Sequence, residues 1–170
     1  MKIIMIVAHT IDGFIAKSAD QFIDWSSKED KKMFREETKK AGVMIMGMTT
    51  YKTIGKPLPE RLNIVLTSKA DQLESIPDTL EYMNATPEEV IADLSARNFE
   101  TVCVIGGART YTEFLKAKLI DEIWLTIEPV IFGQGVTTFT DDIMGVKCYL
   151  TKFINLNENS LQLRFRLEYE

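Results

Sequence analysis

Histidine and cysteine are scarce in this chain of 170 residues, and each scarcity closes off a class of protein. His9 is the only imidazole, so a zinc centre built on several histidines is excluded. Cys103 and Cys148 stand alone with no CxxC spacing. Each lies in an apolar, strand-like run, so both are expected to be free thiols in or near the core. Basic charge is not in excess: 20 Lys and Arg stand against 25 Asp and Glu, a net charge of −5. The lysines are scattered and form no basic stripe, so nucleic acid is not an expected partner. No apolar run approaches the length of a membrane span, and Met1 to Val7 is too short for a signal peptide and lacks a small-residue cleavage site. The chain is therefore expected in the cytoplasm, away from membranes. Neither GxGxxG nor GxxxxGK[ST] occurs, which removes the Rossmann fingerprint and the Walker A loop.

What is present reads as one globular domain over residues 1–170. Hydrophobic residues make up 45% and charged residues 26%, a balance that can bury a core without disulfides or metals. Ile3 to Ala8 is a continuous apolar run, suited to a strand covered on both faces. Thr10 to Ser27 reads as irregular, with Asp12-Gly13 as a turn signal. Ser26 or Ser27 caps a helix to about Lys40, and Gly42 lies just past its end. Strands are expected at Val43 to Met46, Leu62 to Thr67, Leu80 to Met83, Val102 to Ile105 and Glu122 to Glu128. Helices are expected at Thr49 to Ile54, from Thr86-Pro87 to about Arg97, and at Thr110 to Lys118. In the tail, Leu161, Leu163, Phe165, Leu167 and Tyr169 alternate with Gln162, Arg164, Arg166 and Glu168. That period of two predicts a hairpin strand with one buried and one wet face. Strands alternating with helices predict an α/β fold, mostly parallel, with an antiparallel edge from the tail.

Ligands of such sheets bind beyond the carboxyl ends of the strands. Gly106-Gly107 follows a strand and precedes a helix, where backbone can approach a ligand and free N–H groups favour a phosphate. A tight turn explains the pair as well. Gly47-Met48-Thr49-Thr50 sits in the same setting, with Thr49 or Thr50 as a candidate cap. Asp30 shares one helix face with Met33 and Phe34, at i+3 and i+4. An acid among apolar contacts needs a partner, although a solvated first-turn acid is the competing reading. Arg61, at a strand entrance, is either a surface charge or a planar clamp for a carboxylate. His9 follows the first strand and reads mainly as a packing residue.

Together these segments resemble the dihydrofolate reductase family. The resemblance rests on Val43-Met44-Ile45-Met46-Gly47, Thr50-Tyr51, and the long run from Ile54-Gly55-Lys56-Pro57-Leu58-Pro59-Glu60-Arg61 through Ser68. Val104-Ile105-Gly106-Gly107 with Arg109 and Tyr111 is similar to that family's second cofactor motif. Asp12-Gly13-Phe14-Ile15 with Trp25 resembles its mobile loop, and Leu125-Thr126 its late strand. The resemblance implies a three-layer α-β-α fold with a central, mostly parallel sheet of about eight strands and a C-terminal antiparallel hairpin. It implies NADPH as cofactor and reduction of 7,8-dihydrofolate to tetrahydrofolate. The pterin-binding acid falls on Asp30 and its supporting threonine on Thr126. Phe34, Ile54 and Ala8 fall on substrate positions, and Arg61 on the arginine that holds the substrate glutamate. Tyr111 falls beside the nicotinamide, with Ile15 along its wall. Gly47, Thr49, Thr50, Thr67, Ser68, Lys69, Ile105, Gly106, Gly107 and Arg109 fall on cofactor positions. A cis bond between Gly106 and Gly107 is implied as well.

Two positions depart from that pattern. Met48 stands where the family often has a base near the cofactor 2′-phosphate, which leaves NADPH against NADH open. Lys31 stands where many members carry an apolar residue facing the substrate. A second resemblance, carried by Leu119 to Leu125 and by Glu128-Pro129-Val130-Ile131-Phe132-Gly133-Gln134-Gly135, is to the reductase domain of riboflavin-biosynthesis deaminase-reductases. It implies a ribosylaminopyrimidine substrate whose phosphate meets Arg61 or Lys31. A catalytically silent protein of the same fold is the third reading. A homodimer through the tail strand also stays open.

Overall fold

The computed structural model describes residues 1–21, 23–140, 143 and 145–169. Its strands are β1 (Lys2–Thr10), β2 (Phe14–Ala16), β3 (Val43–Gly47), β4 (Leu62–Leu66), β5 (Leu80–Met83), β6 (Thr101–Val104), β7 (Glu122–Glu128), β8 (Val136–Thr137), β9 (Lys147–Asn155) and β10 (Leu161–Glu168). Its helices are α1 (Lys28–Ala41), α2 (Met48–Ile54), α3 (Pro87–Ala96) and α4 (Ala108–Lys116). Among the described residues the main sheet has eight strands in the order β5-β4-β3-β6-β1-β7-β10-β9. From β5 to β7 every pairing is parallel, and β10 then joins β7 and β9 antiparallel.

The alternation of a strand sorts β1 between two apolar layers. Ile3, Met5 and Val7 pack with Val90 and Leu94 of α3 and with Tyr111, Phe114 and Leu115 of α4. Ile4 and Ile6 face the other way, where Met33 and Phe34 of α1 and Met48, Tyr51 and Ile54 of α2 cover the sheet. The result is helices on both faces of a buried parallel sheet, as the α/β pattern predicts.

Local signals place the helix ends. Ser27 caps α1 by accepting the Asp30 N–H, and Gly42 ends it in the left-handed region at φ 76°. Thr86 and Glu89 form a reciprocal capping box at the start of α3. Helix α2 differs from expectation: Gly47 is its cap residue, with no side-chain cap, and Thr49 and Thr50 lie inside the first turn.

Other details also differ. β1 continues through Thr10, so His9 lies within the strand, its Nδ1 2.5 Å from the Thr10 carbonyl oxygen. The segment expected to be irregular contains β2, which pairs antiparallel with β8. Asp12 explains how two short strands persist there, because its carboxylate accepts the N–H groups of Phe132 and Gly133 at 3.2 and 2.7 Å. Cys103 is buried as expected, but Cys148 is exposed on the outer strand β9. The expected wet face of β10 is not uniformly wet. Gln162 is wholly buried, with Nε2 3.2 Å from the Met33 sulfur and Oε1 accepting from Arg164 Nε at 2.9 Å. The strand lies inside the sheet under α1, and its register shifts between Arg164 and Phe165.

Candidate active site

A cavity of about 1160 Å³ runs along the carboxyl ends of the parallel strands, where Ala8, Gly47, Leu66, Met83 and Ile105 all line it. Ligand pockets commonly measure roughly 300–1,000 Å³, so this one has room for a dinucleotide and a second ring system together.

On one side the cavity meets the first turn of α1. Asp30, only 8% exposed, lines it together with Phe34 one turn later. This helix start is held from below by the buried Glu128 of β7. The Glu128 carboxylate accepts from the Ser27 N–H at 2.9 Å, the Ser27 hydroxyl at 2.8 Å and the Ser160 hydroxyl at 2.5 Å. Burial pushes the Asp30 carboxyl above the usual carboxylate range, and the Glu128 charge adds to that push. The Thr126 and Ser26 hydroxyls and the Lys31 charge oppose it. Thr126 Oγ1 is itself buried without a well-formed hydrogen bond, and its nearness to Asp30 is what gives it this influence.

The same cavity contains a glycine cradle. The Gly106–Gly107 peptide is cis, as the resemblance implied. Gly106 has φ 126°, a conformation that side chains rarely allow. The Gly47 N–H donates to the Gly106 carbonyl at 2.8 Å, which ties the two loops together. A Cβ on Gly47 would come within 2.9 Å of Thr110 Oγ1, and one on Gly107 within 3.2 Å of Thr50 Oγ1. Backbone and threonine hydroxyls therefore crowd where only glycine fits. The first turn of α4, Ala108 to Tyr111, also lines the cavity, and no side chain caps it. Uncapped N–H groups beside close-packed backbone are the donor set that suits a phosphate, so these residues fit a dinucleotide. Tyr111 closes the cradle from beneath, donating its hydroxyl to the Ile6 carbonyl at 2.7 Å. Burial raises the pKa of that phenol far above its ordinary value, with the Asp30 charge as the second cause.

Most residues singled out in the sequence meet in this one cavity. Beyond those just named, Ile15, Ile54, Thr49, Thr50, Thr67, Ser68 and Arg109 line it. Arg109 has an 86% exposed side chain and pairs with Glu113 at 2.8 Å. Three singled-out residues lie elsewhere. Thr126 sits behind Asp30 and not on the lining. Lys69 is outside the lining, at the start of a 3-10 turn. Arg61 differs most from expectation. It is 6% exposed and absent from the lining, and its guanidinium donates to the carbonyls of Pro59 and Arg35 and to the Thr38 hydroxyl. A planar fork at a strand entrance satisfies buried carbonyls as readily as a ligand carboxylate.

The cavity also uses residues that the motifs did not nominate. Asn84 to Thr86 line it after β5, and Val136 and Thr140 line it from the β8 region. The first group was missed although its place after a strand is a signal that could have found it, and nothing in the chain pattern marks the second.

The sequence profile of the dihydrofolate reductase family matches residues 2–147. The chain is 31% identical to the dihydrofolate reductase of Haemophilus influenzae over 126 residues, covering 74% of this chain and 71% of that one. It is 25% identical to an uncharacterised Bacillus subtilis protein, YwjB, over 146 residues, with 81% and 82% covered. Among solved structures, a putative riboflavin biosynthesis protein from a Shewanella species shares the fold with a TM-score of 0.77 and 22% identity, over 99% of this chain and all of that one. A Thermotoga maritima diaminohydroxyphosphoribosylaminopyrimidine deaminase/5-amino-6-(5-phosphoribosylamino)uracil reductase gives a TM-score of 0.82 at 17% identity, over 97% of this chain and 56% of that longer chain. These structural likenesses bear on fold, and the match over residues 2–147 on descent: the chain belongs to the dihydrofolate reductase family.

Proposed function

We propose that this chain is an NADPH-dependent reductase that delivers hydride to a nitrogen heterocycle held by Asp30, with 7,8-dihydrofolate as the substrate its family implies. The observation that carries this reading is a buried carboxylate on the lining of the same cavity as the Gly106-Gly107 cradle. A dihydropterin presents a 2-amino group and N3–H on one edge, and a single carboxylate accepts both. In a cavity closed to water that pair fixes the ring and raises its basicity. Asp30 and Phe34 orient the heterocycle in this scheme, and Thr126 and Ser26 hold the carboxylate in its charged form. Gly47, Thr49, Thr50, Gly106 and Gly107, with the first turn of α4 and its Arg109, would hold the dinucleotide. When bound, the nicotinamide would supply hydride to the heterocycle, with the proton drawn from solvent. Most of the rate comes from holding the reacting carbons in register.

A second reading, a riboflavin-pathway type of reductase acting on a ribosylaminopyrimidine, is favoured by one observation. Lys31 lines the cavity, whereas Arg61 is turned into the protein. Loss of nicotinamide absorbance, followed with the purified protein, separates the two readings. Dihydrofolate and the phosphorylated pyrimidine are supplied in turn, each with NADPH and with NADH. Turnover of dihydrofolate alone supports the first reading, turnover of the pyrimidine alone the second, and turnover of neither rejects both.

A further inference from the structure

Glu128, the last residue of β7, is 2% exposed and has no ion pair among the described residues. Three donors from two other segments satisfy its carboxylate. Oε1 accepts from the Ser27 N–H at 2.9 Å and the Ser27 hydroxyl at 2.8 Å, and Oε2 from the Ser160 hydroxyl at 2.5 Å. The Ser27 hydroxyl has one proton. Giving it to Glu128 leaves the oxygen to accept from the Asp30 N–H at 3.2 Å. Glu128 thus orients the cap that fixes Asp30. Ser160 belongs to the turn between β9 and β10, and that turn reaches the same helix start a second time. Asn157 accepts from the Asn159 and Ser160 N–H groups at 2.8 and 2.9 Å and donates to Glu29 at 3.0 Å.

We propose that Glu128 is a positioning residue for the reaction, the link through which the β9–β10 turn fixes the first turn of α1 and a second negative charge is held behind Asp30. The proposal rests on the reading of Asp30 as the ring-binding acid, and it holds for either heterocycle. Hydrogen bonding alone does not call for a charge at this position, since a glutamine would reach Ser27 with an oxygen in the same place. A carboxylate buried without a cation is costly, so the charge itself marks the residue. Asp30 feels it. Burial is the main cause that raises the Asp30 carboxyl above its ordinary range, and the Glu128 charge adds to it. Lys31, on the same helix as Asp30, opposes that rise, as do the Thr126 and Ser26 hydroxyls. From α4 the Tyr111 phenol faces Asp30, whose charge, after burial, helps it to keep its proton. Glu29 and Glu158 line the outer groove beside Glu128. A carboxylate made more basic by a like charge accepts more strongly from the ring donors it must hold.

Two variants and two readouts that need no turnover test this. Glu128→Gln keeps the shape and removes the charge, whereas Ser160→Ala keeps the charge and cuts the turn loose. Carboxyl-carbon NMR of aspartate-labelled protein follows the Asp30 carboxyl against pH, with Asp30→Asn to assign the signal. In Glu128→Gln its midpoint is expected to fall by about half a pH unit or more, because burial remains and the like charge is gone. In Ser160→Ala it is expected to stay at the wild-type value. Hydrogen exchange reads the clamp: in Ser160→Ala the Asp30 amide is expected to exchange at least about fivefold faster than in the wild type. The Glu89 amide, capped by Thr86 in the same way on α3, is the control and should not change. A purely structural Glu128 would lower the urea midpoint of both variants and leave the Asp30 carboxyl midpoint in place, which overturns the proposal. So does an equal fall of that midpoint in both variants, or exchange at Asp30 no faster than in the wild type. If Glu128→Gln does not fold, the Ser160→Ala exchange decides alone. In an active enzyme the acid limb of kcat moves down together with the carboxyl midpoint of Glu128→Gln. Absence of turnover in the absorbance assay rejects the reductase reading and leaves both measurements unaffected.

Discussion

Asp30 pits function against stability. Its carboxyl is buried, and burial holds its pKa above the ordinary 3.8. Between pH 3.8 and that raised value the folded protein binds more protons at this site than the unfolded chain does. The contribution of Asp30 to stability therefore falls as pH rises through that window, and above it the cost stays constant. Asp30→Asn is expected to gain roughly 0.5–2 kcal/mol at neutral pH, a gain that disappears once the medium is acid enough to protonate the carboxyl in both states. Denaturant titrations at neutral and acid pH measure it. The same substitution is expected to cost at least about a hundredfold in turnover, because an amide cannot accept from both donors of the heterocycle. The cofactor dissociation constant should stay within twofold, since the cradle is built from β3, β6, α2 and α4 without Asp30. Unchanged turnover would remove Asp30 from the mechanism. In the wild type, turnover should fall toward acid pH as this carboxylate takes up its proton.

At the scale of elements, two connections position the site. Helix α1 is anchored through Ser27, which caps it and also gives both its N–H and its hydroxyl to Glu128 on β7. Ser27→Ala removes the cap and leaves a buried carboxylate one partner short. A loss of about 1–2 kcal/mol follows, seen as a lower urea midpoint with an unchanged slope. The second connection is the turn from β6 into α4. Gly106→Ala places a side chain at φ 126°, with its Cβ 3.4 Å from the Tyr111 hydroxyl and 3.5 Å from Thr50 Oγ1. The expected strain is about 1–3 kcal/mol. Because the same turn forms the cradle, the NADPH dissociation constant should rise at least about tenfold, measured by quenching of intrinsic fluorescence. Wild-type affinity in that variant would move the cofactor away from the cradle. Much of this was readable beforehand. Pro87 after Thr86, and Gly42 after Lys39 and Lys40, are local signals, and both helix boundaries follow them. Strands β2 and β8 were not readable, because each is short and exists through the other and through Asp12 bridging to Phe132 and Gly133.

At the scale of the whole molecule, one sheet supports both halves of the site. β1 lies between β6, which leads into the cradle, and β7, which carries Thr126 and Glu128 behind Asp30. The two apolar layers share β1, β3 and β6, so neither helix layer has a core of its own. Residues 1–170 are accordingly expected to unfold as one unit. Far-ultraviolet and near-ultraviolet circular dichroism should give coincident denaturation curves. Separated transitions would mean that the α1–α2 layer and the α3–α4 layer are stable independently.

The sequence alone determined the features governed by neighbours along the chain: alternation in β1, the caps of α1 and α3, and the glycines at 42, 47 and 106–107. Those features, with the family resemblance, carried the order of elements, and most of the site residues they nominated lie on the cavity lining. Tertiary structure decided what depends on distant partners. It turned Arg61 into the protein, because Thr38 and two backbone carbonyls offered acceptors that no local pattern announces. It buried Gln162 on a face that reads as wet, because α1 lies over that part of β10. It left Lys31 on the cavity lining beside Asp30, since the exposure of a helical lysine depends on what packs across from it. Periodicity reports which residues share a face, whereas only the packed molecule determines what that face meets.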